Sequence, residues 1–331
     1  MEYRKIIGFG KSSFVVSVPK SWISNNNLTK GSTVTVSAEN DHLLISASPL
    51  SESKPESKTI SIETKGKSDK FLQREIISAY ISGYDTICIV GDNLREKRRS
   101  ITDAFKNLVA LEIIRQDDEM IVAKDFLDIE DINLKEIIRK IDNNVRSMMI
   151  EVMEMLKAHA AKHPSQIEVD ENLLQVRDRD DSINRLSFLC FRSIKDLLLN
   201  PSKTRESMID LFKAWTTVMY LERTGDEVKR LYRNSVEFRL SKKEYEQINR
   251  YISDMLELYK NVMRIYHVEE QSLKKTKNYE IAEKCRVFQQ KAREKIATAD
   301  KKSERTVAVY ERISNIVSYF EEILRLTYDF L

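Results

Sequence analysis

This sequence has few of the residues that interrupt or cross-link a chain. Its 331 residues include seven glycines, five prolines and three cysteines, and the cysteines are too far apart to form a CxxC pair. Such usage excludes a disulfide scaffold and is typical of reduced thiols. No apolar run approaches the roughly 20 residues that cross a bilayer, and the charged N-terminus is unlike a signal peptide. We therefore expect a cytoplasmic protein without membrane insertion.

An excess of charge of one sign is also lacking. The chain has 55 Lys and Arg against 52 Asp and Glu, a net charge of +3. This excludes a protein attracted to nucleic acid over its whole surface, so any basic site must be local. The apolar content of 41% is that of a folded globular protein.

The N-terminal part of the chain is predicted to be a small β domain followed by a linker. Residues 1–47 are rich in Val, Thr, Ser and Ile, and short strands are predicted at 14–18, 33–36 and 43–45. Residues 48–58 contain two prolines and several serines, which is typical of a linker.

Residues 59–130 are predicted to be a small α/β domain. The predicted elements are strands at 60–63 and 86–90, helices at 69–82 and 94–108, and a terminal hairpin at 112–115 and 120–123. Since the segment has no phosphate-binding glycine loop, we expect it to be a spacer or a dimerisation domain.

The chain beyond residue 131 is predicted to be entirely helical. Breaks are predicted near His163–Pro164, Asn200–Pro201, Leu240–Ser241, Ser272–Lys277 and Ala299–Asp300. They leave six helices of about 20 to 35 residues. These divide into two three-helix sets, residues 131–240 and 241–331.

A partial repeat relates the two sets. Glu222, Arg223 and Asp226 on the third helix correspond to Glu311, Arg312 and Asn315 on the sixth, which indicates a repeated three-helix unit. The seam predicted for the sixth helix excludes Glu311 and Asn315. That seam is Val309, Ile313, Ile316, Phe320 and Ile323.

Gly225 is the one glycine in the 240 residues after Gly91, and it lies inside a helical pattern. Glycine within a helix costs about 1 kcal/mol relative to alanine. We therefore expect Gly225 to permit a close approach by a neighbouring helix or a ligand.

Carboxylates flank Gly225 where apolar residues are expected. The residues before it recur at the spacing of a buried seam, in the series Met208, Phe212, Trp215 and Met219. Glu222 and Asp226 occupy the next two positions. Because buried carboxylates need a cation, a metal or a proton, the pair is a candidate site. The alternative is that both face outward, with Asp226 paired to Arg230 and Arg223 paired to Glu227.

The preceding helix has a second seam that an acid interrupts. The seam is Val176, Asp180, Ile183, Ser187, Cys190 and Ile194. Asp180 lies within it, and Asp181 is its neighbour.

His159 and His163 share a face of the first helix, in the last turn before Pro164, where partial positive charge suits the helix dipole. For these histidines a capping or surface role is favoured over metal binding.

The N-terminal segment is locally basic. Residues 1–36 contain five basic residues and one acid, and Gly10, Lys11 and Ser12 resemble the end of a phosphate-binding loop. The rest of that motif is absent, because Lys5 stands where its first glycine is needed and a strand follows instead of a helix. Two interpretations remain: a solvated hairpin face, or a ribbon that contacts DNA phosphates.

Residues 1–47 resemble the SpoVT/AbrB swapped-hairpin domain. The strings that match are RKI at 4–6, GKS at 10–12, VVSVPKSW at 15–22 and LTKGSTV at 28–34. The resemblance implies an intertwined homodimer, with a small swapped-hairpin β-barrel, that binds DNA through its basic hairpins. The DNA contacts that it implies are Arg4, Lys5, Lys11, Ser12, Ser13 and Lys20.

The helical part resembles the PhoU family of phosphate-uptake regulators. The matching strings are RDDSINRLSF at 179–188, with Arg192 beyond it, and LERTGD at 221–226. The resemblance implies tandem three-helix bundles with a divalent metal site (Mg, Mn, Fe or Zn). Its ligands here would be Asp180, Asp181, Glu222 and Asp226. Asn184 and Asn315 replace acids of the family motifs, and an amide oxygen binds a hard cation without contributing charge. At most one metal site is therefore expected.

The combined prediction is a multidomain α+β chain of the type found in archaeal proteins that join these two families. We expect a non-enzymatic, homodimeric, DNA-binding regulator of phosphate uptake, whose helical part senses a metal, a signal or a partner. The alternatives are an adaptor that contacts a phosphate transporter ATPase subunit or a sensor protein, a metal-dependent enzyme, and an antitoxin-like module.

Overall fold

The fold is given by a computed structural model, which describes residues 3–11, 13–39, 42–47, 57–129, 132–162, 165–204, 206–237, 240–268, 271–297 and 304–328. The chain divides into two compact units, Met1–Ser57 (unit 1) and Lys58–Leu331 (unit 2). Unit 1 is built from short hairpins, and unit 2 from a sheet and long helices.

Unit 1 contains two β-hairpins joined through a short helix. Its elements are β1 (Ile7–Phe9), β2 (Ser13–Val15), α1 (Lys20–Asn25), β3 (Thr35–Glu39) and β4 (His42–Ser46). In the first hairpin Gly8 lies opposite Phe14. Gly10 turns the chain between the strands with φ of 71°, a left-handed conformation that glycine adopts without steric cost. Each strand expected from the sequence overlaps one of these elements.

The apolar side chains of the first hairpin are exposed. Ile7 is 60%, Phe9 71% and Phe14 77% exposed, and none of the side chains described in unit 1 is buried. A two-stranded hairpin is only marginally stable in water without an apolar cover. Within the described residues, one copy of unit 1 therefore lacks a hydrophobic core.

Unit 2 begins with a four-stranded sheet and two helices. The elements are β5 (Thr59–Glu63), α2 (Asp69–Ile81), β6 (Thr86–Val90), α3 (Leu94–Lys106), β7 (Leu111–Gln116) and β8 (Met120–Asp125). The strand order is β5-β6-β8-β7, with β5 parallel to β6 and the other pairs antiparallel. The core includes Leu72, Ile76 and Ile89, all fully buried. Each of these elements matches a predicted one closely.

The rest of unit 2 is helical. Its long helices are α4 (Leu134–Ala161), α5 (Gln166–Leu199), α6 (Met208–Glu237), α7 (Lys242–His267), α8 (Gln271–Ala297) and α9 (Glu304–Tyr328). Reciprocal capping boxes start α5, between Ser165 and Glu168, and α7, between Ser241 and Glu244. The break predicted near Ser272–Lys277 lies a few residues earlier, because α7 ends at His267 and α8 begins at Gln271.

The two three-helix sets share one core. Helix α4 packs against α7 as well as against α5 and α6, and α6 packs against α9, so buried apolar side chains of both sets form a continuous cluster. The predicted seam of the sixth helix is confirmed, since its five apolar residues are all fully buried on α9. In the part of the chain that the structure describes, no helix is long and apolar enough to cross a bilayer.

A buried arginine attaches the sheet to the helices. Arg192 of α5, which is 2% exposed, pairs with Asp125 at the end of β8. It also donates to the backbone carbonyl of Tyr80 at 2.7 Å and stacks on the Tyr80 ring at 4.7 Å from the centroid. Burial raises the pKa of Asp125, and the Arg192 charge opposes that rise. The sheet and the helices are therefore joined by a charge pair away from solvent.

Candidate functional site

The predicted acidic seam of α5 is present. All six of its residues are buried, and Asp180 is 3% exposed. Asp180 therefore holds a carboxylate among apolar neighbours, where it requires a partner that supplies positive charge or hydrogen bonds.

The predicted seam of α6 is wrong. Met208 and Phe212 are 64% and 52% exposed. The buried face follows a different line, through Leu211, Ala214, Val218, Leu221, Gly225 and Val228. Glu222 and Asp226 lie half-buried at the edge of this face.

Gly225 allows α6 to approach α5. A Cβ atom at this position would lie 2.9 Å from Ile183 Cδ1 and 3.9 Å from Asp180 Oδ1. Because the first distance is shorter than a normal carbon contact, a side chain here would displace Ile183. The expected close approach is thus an approach of the neighbouring helix.

Lys229 bridges the carboxylates of the two helices. Its ammonium donates to Asp180 Oδ2 and lies 2.8 Å from Asp226 Oδ1. Asp226 Oδ2 accepts from Arg230 at 3.1 Å, which was part of the outward-facing alternative. Burial alone would lower the pKa of Lys229. The hydrogen bonds from its ammonium to both aspartates outweigh burial and raise the pKa. The two carboxylates Asp180 and Asp226 therefore share the positive charge of one side chain of the protein.

The other two predicted ligands lie at the margins of this cluster. Burial, followed by the charges of Asp226 and Asp180, raises the pKa of Glu222 to about 6. The side chain of Asp181 is 41% exposed and lies 3.9 Å from Arg177 one turn earlier. The charges of Asp226 and Asp180 thus act on Glu222. The charge of Asp181 acts on Asp180, although its own side chain lies on the more exposed side of α5.

Glu227, which was expected only as an outward-facing partner of Arg223, is a buried acid on the opposite flank of α6. Glu227 is 3% exposed. It accepts from Arg230 at 2.6 Å, from Arg312 at 3.2 Å and from Asn315 at 3.4 Å. The predicted repeat residues Arg312 and Asn315 thus meet α6 through Glu227. The sequence signal for this contact was the match of Arg312 and Asn315 to the motif of α6. That match placed a cation and an amide on α9, the helix that packs against α6.

The cluster does not fit a divalent metal ion as it stands. Both oxygens of Asp226 and one oxygen of Asp180 accept from Lys229 or Arg230. The other Asp180 oxygen, Oδ1, and Asn184 Oδ1 are buried without a hydrogen-bond partner. In the described part of the chain, no group of three or more His, Cys, Asp or Glu side chains has an arrangement that could hold a metal. Metal binding by Asp180, Asp181, Glu222 and Asp226 stays a prediction, and it would require Lys229 to move.

The DNA contacts implied by resemblance lie around the first hairpin of unit 1. Arg4 and Lys5 precede β1, Lys11 lies in the turn, and Lys20 begins α1. These four side chains and Ser13 are exposed. Ser12 lies outside the described residues. The structure thus puts a set of basic side chains on the surface of unit 1.

The remaining polar candidates are structural. His159 is 5% exposed, and its Nε2 is 3.0 Å from the hydroxyl of Tyr232, so the expected surface role is wrong. His163 lies outside the described residues.

All three cysteines are free thiols, and Cys190 and Cys285 are buried. Burial raises the pKa of both thiols to about 12, which makes them unreactive.

The comparisons with known proteins include a weak structural likeness. No protein-family model matches the chain, and no curated protein matches it. The crystal structure of PhoU from Pseudomonas aeruginosa aligns with 59% of this chain and 93% of that chain, at 14% sequence identity and a TM-score of 0.45. Such a likeness carries no functional inference.

Proposed function

We propose that this chain is a non-enzymatic, homodimeric DNA-binding regulator of phosphate uptake. In this proposal unit 1 binds DNA, and the helices of unit 2 receive a signal or contact a partner protein. The observation that carries the proposal is the surface of unit 1, where exposed basic side chains surround a hairpin that has no core of its own.

The missing core supports a homodimer. Ile7, Phe9 and Phe14 lie on a two-stranded hairpin and are each at least 60% exposed. Burying an apolar side chain of this size contributes about 1.5 to 3 kcal/mol. A second copy of unit 1 would supply the cover, in agreement with the swapped-hairpin resemblance of residues 1–47.

The charge of unit 1 supports DNA as its ligand. Arg4, Lys5, Lys11 and Lys20 are exposed, and a homodimer would present two such sets. Lysine and arginine bind phosphates with release of counterions, and a two-fold dimer favours a nearly palindromic site. The link to phosphate uptake is supported by the resemblance of residues 179–188 and 221–226 to PhoU sequences.

DNA binding is tested with a charge-neutralising double variant. Genome-wide mapping of bound DNA at high and low phosphate supplies the target fragments. Lys11→Ala together with Lys20→Ala is expected to lower affinity at least about 10-fold, and to reduce the slope of log K against log salt by up to about 4 per dimer. Fluorescence anisotropy across a salt series measures both quantities.

The matched control is Lys260→Ala together with Lys284→Ala, which removes two charges from unit 2. It should leave the affinity for DNA unchanged. If the hairpin variant binds as tightly as wild type, or if both double variants lose affinity equally, unit 1 is not the DNA-binding surface.

An adaptor that acts by protein contact is the second candidate, and the surface of α6 favours it. Met208, Ile209 and Phe212, in the first turns of α6, are all more than half exposed, and exposed apolar patches mark interaction surfaces. Ile209→Glu would then abolish binding to a phosphate transporter ATPase subunit or a sensor protein. The adaptor function is favoured if the wild type binds such a partner and shows no sequence preference on DNA at physiological salt.

A further inference from the structure

The ammonium of Lys229 lies between two aspartates on different helices. It donates to Asp180 of α5 and lies 2.8 Å from Asp226, one turn before it on α6. The lysine side chain is 33% exposed, whereas Asp180 is almost fully buried. The lysine stem therefore reaches from the surface to a carboxylate that water does not solvate.

The backbone geometry holds this arrangement in place. Gly225 lies one turn before Lys229 and brings the backbone of α6 close to Ile183 and Asp180. At this separation an ammonium on α6 reaches Asp180 directly. Asn184, one turn after Asp180, adds a donor to the same Asp180 oxygen at 3.3 Å.

The hydrogen-bond pattern leaves two buried oxygens of this cluster without a donor, Asp180 Oδ1 and Asn184 Oδ1, which are too few ligands for a divalent cation. Asp226 Oδ2 is already engaged by Arg230 at 3.1 Å, and Asp181 faces Arg177 on the exposed side of α5. A divalent ion bound to the carboxylates of Asp180 and Asp226 would lie within a few ångströms of the Lys229 ammonium. The two positive charges would repel each other. Mg²⁺ also requires nearly octahedral oxygen ligands, and Lys229 occupies the side of Asp180 that faces Asp226.

We propose that the Lys229 ammonium is the resident cation of the Asp180–Asp226 pair, so that this chain fills with its own side chain the position for which sequence resemblance implies a metal ion. Lys229 is in this sense a positioning residue: it joins α5 to α6 by charge and needs no exchangeable ligand.

The first experiment measures the stability of full-length Lys229→Met by urea unfolding. Methionine keeps the length of the side chain and removes the charge, so Asp180 is left buried without its counterion. The unfolding equilibrium constant should rise about 10- to 100-fold, because removing one partner of a buried pair leaves an uncompensated charge. Adding Asp180→Asn to Lys229→Met should recover much of the loss.

The matched control is Lys260→Met on α7. Lys260 has similar exposure, 37%, and its pair with Glu257 is loose at 3.9 Å. Its substitution should leave the unfolding midpoint unchanged. Equal midpoints for Lys229→Met and Lys260→Met would overturn the proposal.

The second experiment tests the metal directly and does not depend on whether Lys229→Met folds. Full-length protein is treated with EDTA, dialysed and titrated with Mn²⁺, and the free ion is measured by its EPR signal. Wild type, Asp180→Asn and Asp226→Asn should leave the same amount of Mn²⁺ free. Binding of one equivalent by wild type that is lost in both variants would overturn the proposal and support the metal site.

Discussion

A hydrogen atom at Gly225, in place of a methyl group, sets the separation of α5 and α6. The position faces Ile183 and Asp180, so the same residue permits apolar packing and brings Lys229 within reach of a buried carboxylate. The helix-weakening cost of glycine, about 1 kcal/mol, is thus offset by contacts that a larger residue would prevent.

Substitutions at Gly225 should separate these two effects. Gly225→Ala gains helix propensity but presses on Ile183 Cδ1, the mobile end of a side chain, so its net change in unfolding free energy should be within about 1 kcal/mol. Gly225→Val should destabilise the protein by about 2 to 4 kcal/mol through overpacking and β-branching. Urea unfolding checks both, and adding Ile183→Val should partly rescue Gly225→Val. A fully stable Gly225→Val would contradict the close packing.

A pH effect is expected from Asp142 on α4. The side chain is 5% exposed and accepts from Arg146 at 3.0 Å and from His267 at 3.3 Å. Burial alone would raise its pKa, but the hydrogen bond from His267 and the Arg146 charge outweigh burial and hold the pKa of Asp142 below its ordinary value. A carboxyl with a lowered folded-state pKa stabilises the fold above its unfolded pKa of about 3.9, and that contribution is lost as the pH falls through the folded-state pKa.

Asp142→Asn should therefore be less stable than wild type at pH 7, by about 1 to 3 kcal/mol. The difference should shrink as the pH falls below about 4. Urea unfolding between pH 3 and pH 7 measures the profile, with the exposed Asp103→Asn as the control. A difference that is constant over this range would mean that Asp142 acts through packing alone.

At the scale of elements, the α/β part could be predicted almost completely. Its strands alternate and its helices follow a 3.6-residue period, so β6 was predicted to the residue at Thr86–Val90. The buried face of α6 could not be found in that way. The predicted seam consists of large apolar residues such as Met208 and Phe212, whereas the face packed against its neighbours contains small ones such as Ala214 and Gly225. Close helix packing favours small side chains at the contact, and a hydrophobicity pattern does not indicate side-chain size.

The candidate site was predicted only in part, for a similar reason. Asp180 interrupts an apolar seam that is present, whereas Asp226 was placed on a seam that is wrong. The roles of Lys229 and Glu227 were not predicted, because they depend on pairing between helices. Glu227 meets Arg312 from 85 positions away in the chain, and no local spacing predicts such a pair.

The attachment between α5 and the sheet should be sensitive to loss of its cation. Arg192→Met leaves Asp125 buried without a counterion, and the expected cost is about 3 to 5 kcal/mol. Urea unfolding measures it, and the double variant Arg192→Met with Asp125→Asn should be more stable than Arg192→Met alone. Equal stability of the single and double variants would show that the charge of Asp125 is not what Arg192 compensates.

At the scale of the whole molecule, the chain combines a unit without a core of its own and a unit with a continuous one. Described residues of unit 1 are exposed or half-buried, while unit 2 packs a sheet and long helices around buried apolar side chains. In the proposed function this division separates the DNA-binding surface from the part that receives the signal.

The oligomeric state should depend on the first hairpin. Wild type should sediment as a dimer, and Ile7→Asp should sediment as a monomer because a carboxylate would be buried against the partner copy. The helical signal in circular dichroism should be retained, since the long helices belong to unit 2. Ile114→Asp, at an exposed apolar position of β7, is the control and should remain dimeric. A monomeric wild type would refute the proposed homodimer.

Helix α5 carries Asp180 and Arg192 twelve residues apart, which is about 18 Å along its axis at about 1.5 Å per residue. Each is buried, and each is held by a charge on a different element: Lys229 on α6 for Asp180, and Asp125 on β8 for Arg192. The helix is therefore fixed at two points by ion pairs with different elements. A partner that tilts the sheet would pull on the Arg192–Asp125 salt bridge. The resulting force would reach the contact between α5 and α6 at Asp180 without any ligand entering the bundle.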